Sequence, residues 1–235
     1  MPNPYFRFKK FTVWHDRSSM KVGTDGVLLG AWADVGGVSR TLDVGTGCGV
    51  IALMIAQRTP QSASVVGIDI DERSVSQARE NADRSPWGER IAVETADVRE
   101  YCGGPFDLIV SNPPFYDEDT ACPDTARQTA RHTVSLSYAE LTSAAARLLT
   151  DAGRLSVVLP LVGRTHFVSA AVSAGLSLTR LTAVHTKPGI PPKRVLMSFS
   201  RRQVATEDDS LFIEAAGGGF NEDYVRLTKD FYLRF

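Results

Sequence analysis

Arg40-Thr41-Leu42-Asp43-Val44-Gly45-Thr46-Gly47-Cys48-Gly49-Val50 is a short apolar run that ends near an acid and passes straight into three glycines. Its first five residues read as a buried strand. From Val50 to Arg58 the apolar residues recur at helical spacing. A strand, a glycine turn and a helix in that order open a right-handed crossover. Glycines at such a turn let the backbone bend sharply and come close to a ligand.

The alternation continues downstream. Ser64–Ile70 reads as a second strand and Asp71–Asp83 as a helix with Val75 and Ala78 inward and Asp71 as its capping residue. Arg90–Thr95 and Phe106–Val110 read as further strands. Ser137–Thr150 is an Ala- and Leu-rich helix closed by Asp151-Ala152-Gly153, and Arg154–Leu159 is the next strand. Gly163–Ala174 reads as a helix, and Leu178–His185 and Arg194–Ser200 as two last strands. The pattern predicts an α/β fold with a mostly parallel seven-stranded sheet and helices on both faces. The final two strands have no helix between them, which predicts an antiparallel pair at one edge. The first 35 or so residues, and a polar loop from Phe115 to Ser135, fall outside this frame. A loop that long is commonly functional or disordered.

Composition is compatible with one α/β domain. The chain has 235 residues, 43% hydrophobic and 23% charged, with 26 Lys and Arg against 27 Asp and Glu. A net charge of −1 excludes a uniformly basic protein, but not a local basic face. Cys48, Cys102 and Cys122 form no C-x-x-C pair, which argues against a disulfide framework or a zinc site and points to a reducing cytoplasm. His15, His132, His166 and His185 are scattered without ligand spacing, so no metal is expected. The N-terminus lacks the apolar segment of a secretory signal, and Val50–Ala56 is far short of the ~20 residues of a membrane helix.

In a doubly wound sheet, ligands bind beyond the carboxyl ends of the strands. Asp69, at the end of the second strand, can accept both hydroxyls of a ribose; as a plain strand end it would only be solvated. Asp97, after the third, suits an exocyclic amine or a simple turn. The fourth strand runs into Asn112-Pro113-Pro114-Phe115. Two prolines fix the backbone and remove two donors. An Asn oxygen and a Pro carbonyl can then accept both protons of one planar amine, and Phe115 offers a face for stacking.

Asp43–Gly49, Asp69, Asp97 and Asn112–Phe115, in that order, resemble the class I S-adenosylmethionine-dependent methyltransferases that act on exocyclic or amide nitrogens. The resemblance covers roughly Val38 to Ser200 and implies their Rossmann-like fold. The flanks Phe8–Val13, Met20–Trp32 and Leu227–Leu233 resemble the bacterial enzymes that methylate N6 of adenosine 37 in valine tRNA. The resemblance implies S-adenosyl-L-methionine as cofactor and S-adenosyl-L-homocysteine as product, without a metal. It implies cofactor contacts from Lys21, Thr24, Asp25, Asp43, Gly45, Thr46, Gly47, Gly49, Asp69, Ile70, Asp97, Val98 and Asn112. Asn112, Pro113, Pro114 and Phe115 would carry catalysis. Read alone, Thr24-Asp25-Gly26 is equally a turn. Residues 1–36 would be an extension completing the site, 37–202 the catalytic core and 203–235 a C-terminal extension of the same domain.

A tRNA partner requires cations near the site. Arg7, Lys9, Lys10, Arg17 and Lys21 face one acid, Asp16, in the first 21 residues; Lys187, Lys193, Arg194, Arg201 and Arg202 face none between 185 and 202. Lys9, Lys10, Arg131, Lys193 and Arg194 are the candidate RNA contacts, with Tyr5, Phe6, Phe8 and Phe11 interleaved in the first segment. The target adenosine would have to leave its stack to react. No membrane and no obligate protein partner are implied. Four other readings stand beside this one, one of them N6-adenine or N2-guanine methylation of another RNA. The same site suits a protein glutamine amide. A nicotinamide oxidoreductase is disfavoured because Val50 occupies the third glycine position of the dinucleotide fingerprint. A non-catalytic RNA-binding scaffold would not need Asn112–Phe115 intact.

Overall fold

The structure is a computed structural model that describes residues 3–18, 20–113 and 136–234. Pro114, Phe115, Cys122, Arg131 and His132 lie outside the described residues. A hairpin of β1 (Tyr5–Arg7) and β2 (Thr12–Trp14) precedes helix α1 (Thr24–Trp32). Then come β3 (Arg40–Val44), α2 (Val50–Arg58), β4 (Ser64–Asp69), α3 (Glu72–Asp83), β5 (Ile91–Thr95) and β6 (Phe106–Ser111). After residue 135 follow α4 (Tyr138–Leu148), β7 (Leu149–Pro160), α5 (Arg164–Ser173), β8 (Ser177–His185), β9 (Arg194–Ser200), β10 (Glu207–Phe212) and α6 (Glu222–Thr228).

The large sheet runs β10-β8-β9-β7-β6-β3-β4-β5. Every neighbouring pair is parallel except those of β9, which is antiparallel to both β7 and β8. The expected count of seven strands is therefore one short, and the antiparallel pair is not at the edge. The eighth strand, β10, carries Glu207-Asp208-Asp209-Ser210 exposed and buries only Leu211. Acids have low strand propensity, and charges on an edge strand discourage a further strand from pairing there.

Successive residues of a strand point to opposite faces. Leu108 and Val110 enter one apolar cluster and Ile109 the other. The first is covered by α1, α2, α3 and α6 through Val27, Leu53, Val75 and Tyr224; the second by α4 and α5 through Leu141 and Phe167. The cap expected at Asp71 is present, and a second, not foreseen, opens α4. Asp71 accepts from the amides of Arg73 and Ser74, and Ser137 forms a reciprocal capping box with Glu140. Strand β7 begins at Leu149, so Asp151-Ala152-Gly153 belongs to a strand and does not close a helix. A bulge against β6 accommodates it, and a Cβ on Gly153 would lie 2.8 Å from the Phe106 carbonyl.

Thr24-Asp25-Gly26, which read alone is equally a turn, opens helix α1. Its residues Gly26–Trp32 are all buried, so it lacks the one-sided pattern that marks a surface helix. A Cβ on Gly30 would fall 2.8 Å from Met54 Sδ and 2.9 Å from Met54 Cβ in α2. The two helices cross at glycine because nothing larger fits. Gly30→Ala is expected to lose about 1–2 kcal/mol in urea unfolding, an overpacking cost that exceeds the gain in helix propensity. Unchanged or raised stability would show that the crossing has slack.

Candidate functional site

Val44 lies level with Ile68 of β4 and Ser111 of β6, and Asp69 level with Thr95 of β5. This register brings the glycine turn, Asp69, Ile70, Asp97, Val98 and Asn112 to one edge of the sheet. The turn is built around Asp43, which is fully buried. Asp43 Oδ2 accepts from the Thr46 hydroxyl (2.8 Å) and from the Ala52 amide in the first turn of α2 (3.1 Å). Gly45, Gly47 and Gly49 have φ of 71°, 56° and 82°, the left-handed region that favours glycine. The amides of Gly45 and Thr46 both donate to the Ile68 carbonyl (2.9 and 3.0 Å). Space beside Gly45 is open for 4 Å around a hypothetical Cβ, as a ligand cradle requires. Gly67 makes room for Thr46: a Cβ there would lie 2.8 Å from Thr46 Oγ1.

Asp69 closes the turn from the next strand. Its Oδ2 accepts from the Gly47 amide (2.9 Å) and its Oδ1 from the Asp71 amide (3.0 Å). Beside it Ile70 is half exposed, an apolar side chain left in the open at the strand end. Val98 is buried. Asp97 is gripped by Arg99, which donates from its amide (2.9 Å) and its guanidinium to both carboxylate oxygens. That contact holds the Asp97 carboxyl below its ordinary pKa. Arg99 also reaches Glu140 of the α4 capping box (3.3 Å), so the Asp97 turn is tied to the start of α4. Asn112 follows β6. Its Oδ1 is buried and has no hydrogen-bond partner among the described residues. Buried polar atoms are normally satisfied, so an orphan at a strand end marks a place for a donor. Pro113 is buried next to it.

The N-terminal segment packs on α3 beside the glycine turn. The Arg17 and Ser18 amides donate to Oε1 of Gln77 in α3 (3.0 and 2.8 Å), and Gln77 donates to Asp16 (2.7 Å). Ser18 Oγ consequently sits 3.7 Å from where a Cβ of Gly47 would be. Lys21 and Thr24 are exposed, and Asp25 pairs with Arg194 Nε of β9 (2.8 Å). Gln77, Ser18 and Arg99 were not legible as site residues; Asp25 and Arg194 were named singly, but not their pairing. Ser18 meets Gln77 across 59 positions, and only the buried face of α3 could have pointed to Gln77. Arg99 lies two residues from Asp97 and reaches Glu140 across 41.

The two basic segments separate. Lys193 and Arg194 adjoin Pro160 and Leu161, at the end of β7 where the site lies. Lys9 and Lys10 do not. The Lys9 amide donates to the Phe231 carbonyl (2.8 Å), and neighbouring Asp230 accepts from Gln57 at the far end of α2 (3.0 Å). A nine-residue helix, about 13 Å, stands between them and the glycine turn. Phe8 and Phe11 are buried and stacked (4.5 Å), with Tyr232 against Phe8, so they are core and unavailable to a base. Among the described residues no His, Cys, Asp or Glu cluster is grouped to hold a metal, and no helix is long and apolar enough to cross a membrane.

Burial raises the Asp43 carboxyl to about 7 despite the bonds from Thr46 and Ala52 that oppose the shift. The unfolded chain loses that proton near pH 4. Between these values the folded state binds more protons, so this group lowers stability as pH rises from about 4 to about 7, with no further change above. Asp43→Asn should remove that slope. Melting temperatures from pH 4 to 8 for both proteins check it; identical profiles would refute the assignment.

The methyltransferase small domain family model matches residues 26–166. A Bacteroides fragilis (strain YCH46) protein named tRNA1(Val) (adenine(37)-N6)-methyltransferase is 47% identical over 238 residues, covering 100% of both chains. One of the same name from Phocaeicola vulgatus is 50% identical, covering 99% of both, and one from Citrobacter koseri is 44% identical, covering 97% of this chain and 94% of its own. Among solved structures, an Agrobacterium tumefaciens protein described as a predicted O-methyltransferase superposes with a TM-score of 0.68 at 21% identity, covering 88% of this chain and 96% of its own. TrmN from Thermus thermophilus gives 0.52 at 23% identity over 70% of this chain and 44% of its own. These two likenesses are of fold, the Rossmann-like fold of class I methyltransferases. The chain belongs to the methyltransferase small domain family and, within it, groups with the proteins named tRNA1(Val) (adenine(37)-N6)-methyltransferase.

Proposed function

We propose that this protein transfers the methyl group of S-adenosylmethionine to the exocyclic N6 of adenosine 37 in a valine tRNA, acting in the cytoplasm as one unit over residues 1–235. The observation that carries the reaction type is Asn112 Oδ1, buried at the carboxyl end of β6 and unpartnered among the described residues. The full-length similarity to proteins named for that reaction supports the substrate.

The residues present fit the cofactor. The open side of the Gly45–Gly49 turn, with Thr46, would hold its methionine part together with Lys21, Thr24 and Asp25. Asp43 Oδ1, buried and also without a partner among the described residues, suits a cationic amino group there. Asp69 would hold the ribose, since each of its oxygens still has a free lone pair. Asp97, Ile70 and Val98 would hold the adenine ring. When bound, S-adenosylmethionine supplies a methyl on a positively charged sulfur, already activated for transfer.

Asn112 Oδ1 and the Pro113 carbonyl would accept the two protons of the target amine. Those bonds draw the nitrogen out of conjugation with its ring and localise its lone pair. The prolines at 113 and 114 hold the acceptors still, and Phe115 would set the plane of the base. Placement supplies most of the rate, so no strong base is needed. The amine proton leaves to water. A protein glutamine amide presents the same pair of protons, but the relatives named for tRNA favour adenine.

Unmodified tRNA incubated with the protein and S-adenosylmethionine should yield N6-methyladenosine by nucleoside mass spectrometry. Its absence, or label only in protein, would overturn the reading. Asn112→Ala should lower kcat by about 10²–10³-fold, as loss of a transition-state hydrogen-bonding group does. Because Oδ1 has no partner to lose among the described residues, its melting temperature should match or exceed the wild type.

A further inference from the structure

We infer that the connection between β8 and β9, residues 186–193, with Arg164 at the start of α5, is the surface on which the RNA backbone rests beside the site. This rests on the tRNA reading above. Four observations support it.

The first is position. β9 runs antiparallel to β7, so its beginning lies where β7 ends: Arg194 pairs with Pro160, and the Leu161 amide donates to the Lys193 carbonyl (3.1 Å). That is the edge to which β6 delivers Asn112. The second is charge. Lys187, Lys193 and Arg164 are exposed, and none has an ion-pair partner among the described residues. Arg194, by contrast, is taken by Asp25 and so belongs to the site wall. Unpaired cations beside a site raise the local concentration of a polyanion and release its counterions on contact.

The third is rigidity. Pro188, Pro191 and Pro192 restrict the loop. The Ile190 amide donates to the Lys187 carbonyl (3.2 Å), the Lys193 amide to the Val184 carbonyl (3.1 Å), and His185 Nδ1 bonds the Ile190 carbonyl (2.8 Å). His185 is itself stacked on Phe212 of β10 (4.6 Å). The loop therefore presents its lysines without ordering its backbone at the moment of binding, which spares affinity. The fourth is the pair of exposed apolar side chains on this edge, Ile190 at 38% and Val162 at 74% exposure. They suit the sugar and base faces between phosphates. Lys9 lacks all of this: its Nζ donates to the Lys229 carbonyl (2.6 Å) and it stands at the other end of α2.

The test is tRNA binding by the full-length protein across a salt series. The Lys187→Ala/Lys193→Ala double variant should bind tRNA about 10-fold more weakly. Its slope of log Kd against log salt should fall by nearly 2, as expected for two lost phosphate contacts. Its affinity for S-adenosylhomocysteine should equal that of the wild type, which excludes a general loss of fold. Wild-type Kd and slope in this variant would overturn the proposal, as would a larger loss in Lys9→Ala/Lys10→Ala. If the wild-type protein binds S-adenosylhomocysteine but neither binds nor methylates tRNA, the substrate reading itself falls, and this surface with it.

Discussion

A carboxyl group has been drawn wholly out of water at Asp43 and given two donors, the Thr46 hydroxyl and the Ala52 amide. Ala52 lies in the first turn of α2, so the pair of bonds clamps the end of β3 to the start of the following helix across the glycine turn. Burying a carboxyl without such partners would be costly. The neighbouring positions follow from this clamp. Gly67 must be small because Thr46 needs the space to reach Asp43, and Asp69 takes the Gly47 amide that the turn leaves over. The open side of Gly45 and the unpartnered Asp43 Oδ1 are what the clamp leaves over among the described residues.

The parallel half of the sheet was legible because its central strands β3 and β6 are buried on both faces and read as nearly continuous apolar runs, while edge strand β5 alternates. β3 and α2 have the bounds that Arg40–Val44 and Val50–Arg58 suggest. What escaped was of three kinds. α1 is buried all round and shows no stripe. β1 and β2 are three residues each, too short for any period. β10 is an edge strand whose acids belong to a surface. The start of β7 was misjudged for another reason, because only its pairing with β6 reveals that Asp151-Ala152-Gly153 is bulged strand.

Site legibility divides along the same line. Residues that follow directly from a strand, such as Asp69, Asp97 and Asn112, are brought to one edge by register alone. Residues that arrive from elsewhere, such as Ser18 through Gln77 or Asp25 through Arg194, depend on packing that no local pattern records. The basic segments illustrate the limit. Counted along the chain they look equivalent, yet one flanks the site and the other closes the opposite end of the core.

The bonds from Lys9 to the Phe231 and Lys229 carbonyls and the ring stack of Phe8, Phe11 and Tyr232 join segments about 220 residues apart in sequence. Such distant pairing is slow to form. The N-terminal segment is therefore assembled in two stages. Trp14, Arg17 and Ser18 can dock on Asn81 and Gln77 as soon as α3 has formed, whereas Lys9 waits for Phe231 and Asp25 for Arg194. The glycine turn and its polar neighbours can thus be in place before the Asp25–Arg194 pair closes beside them.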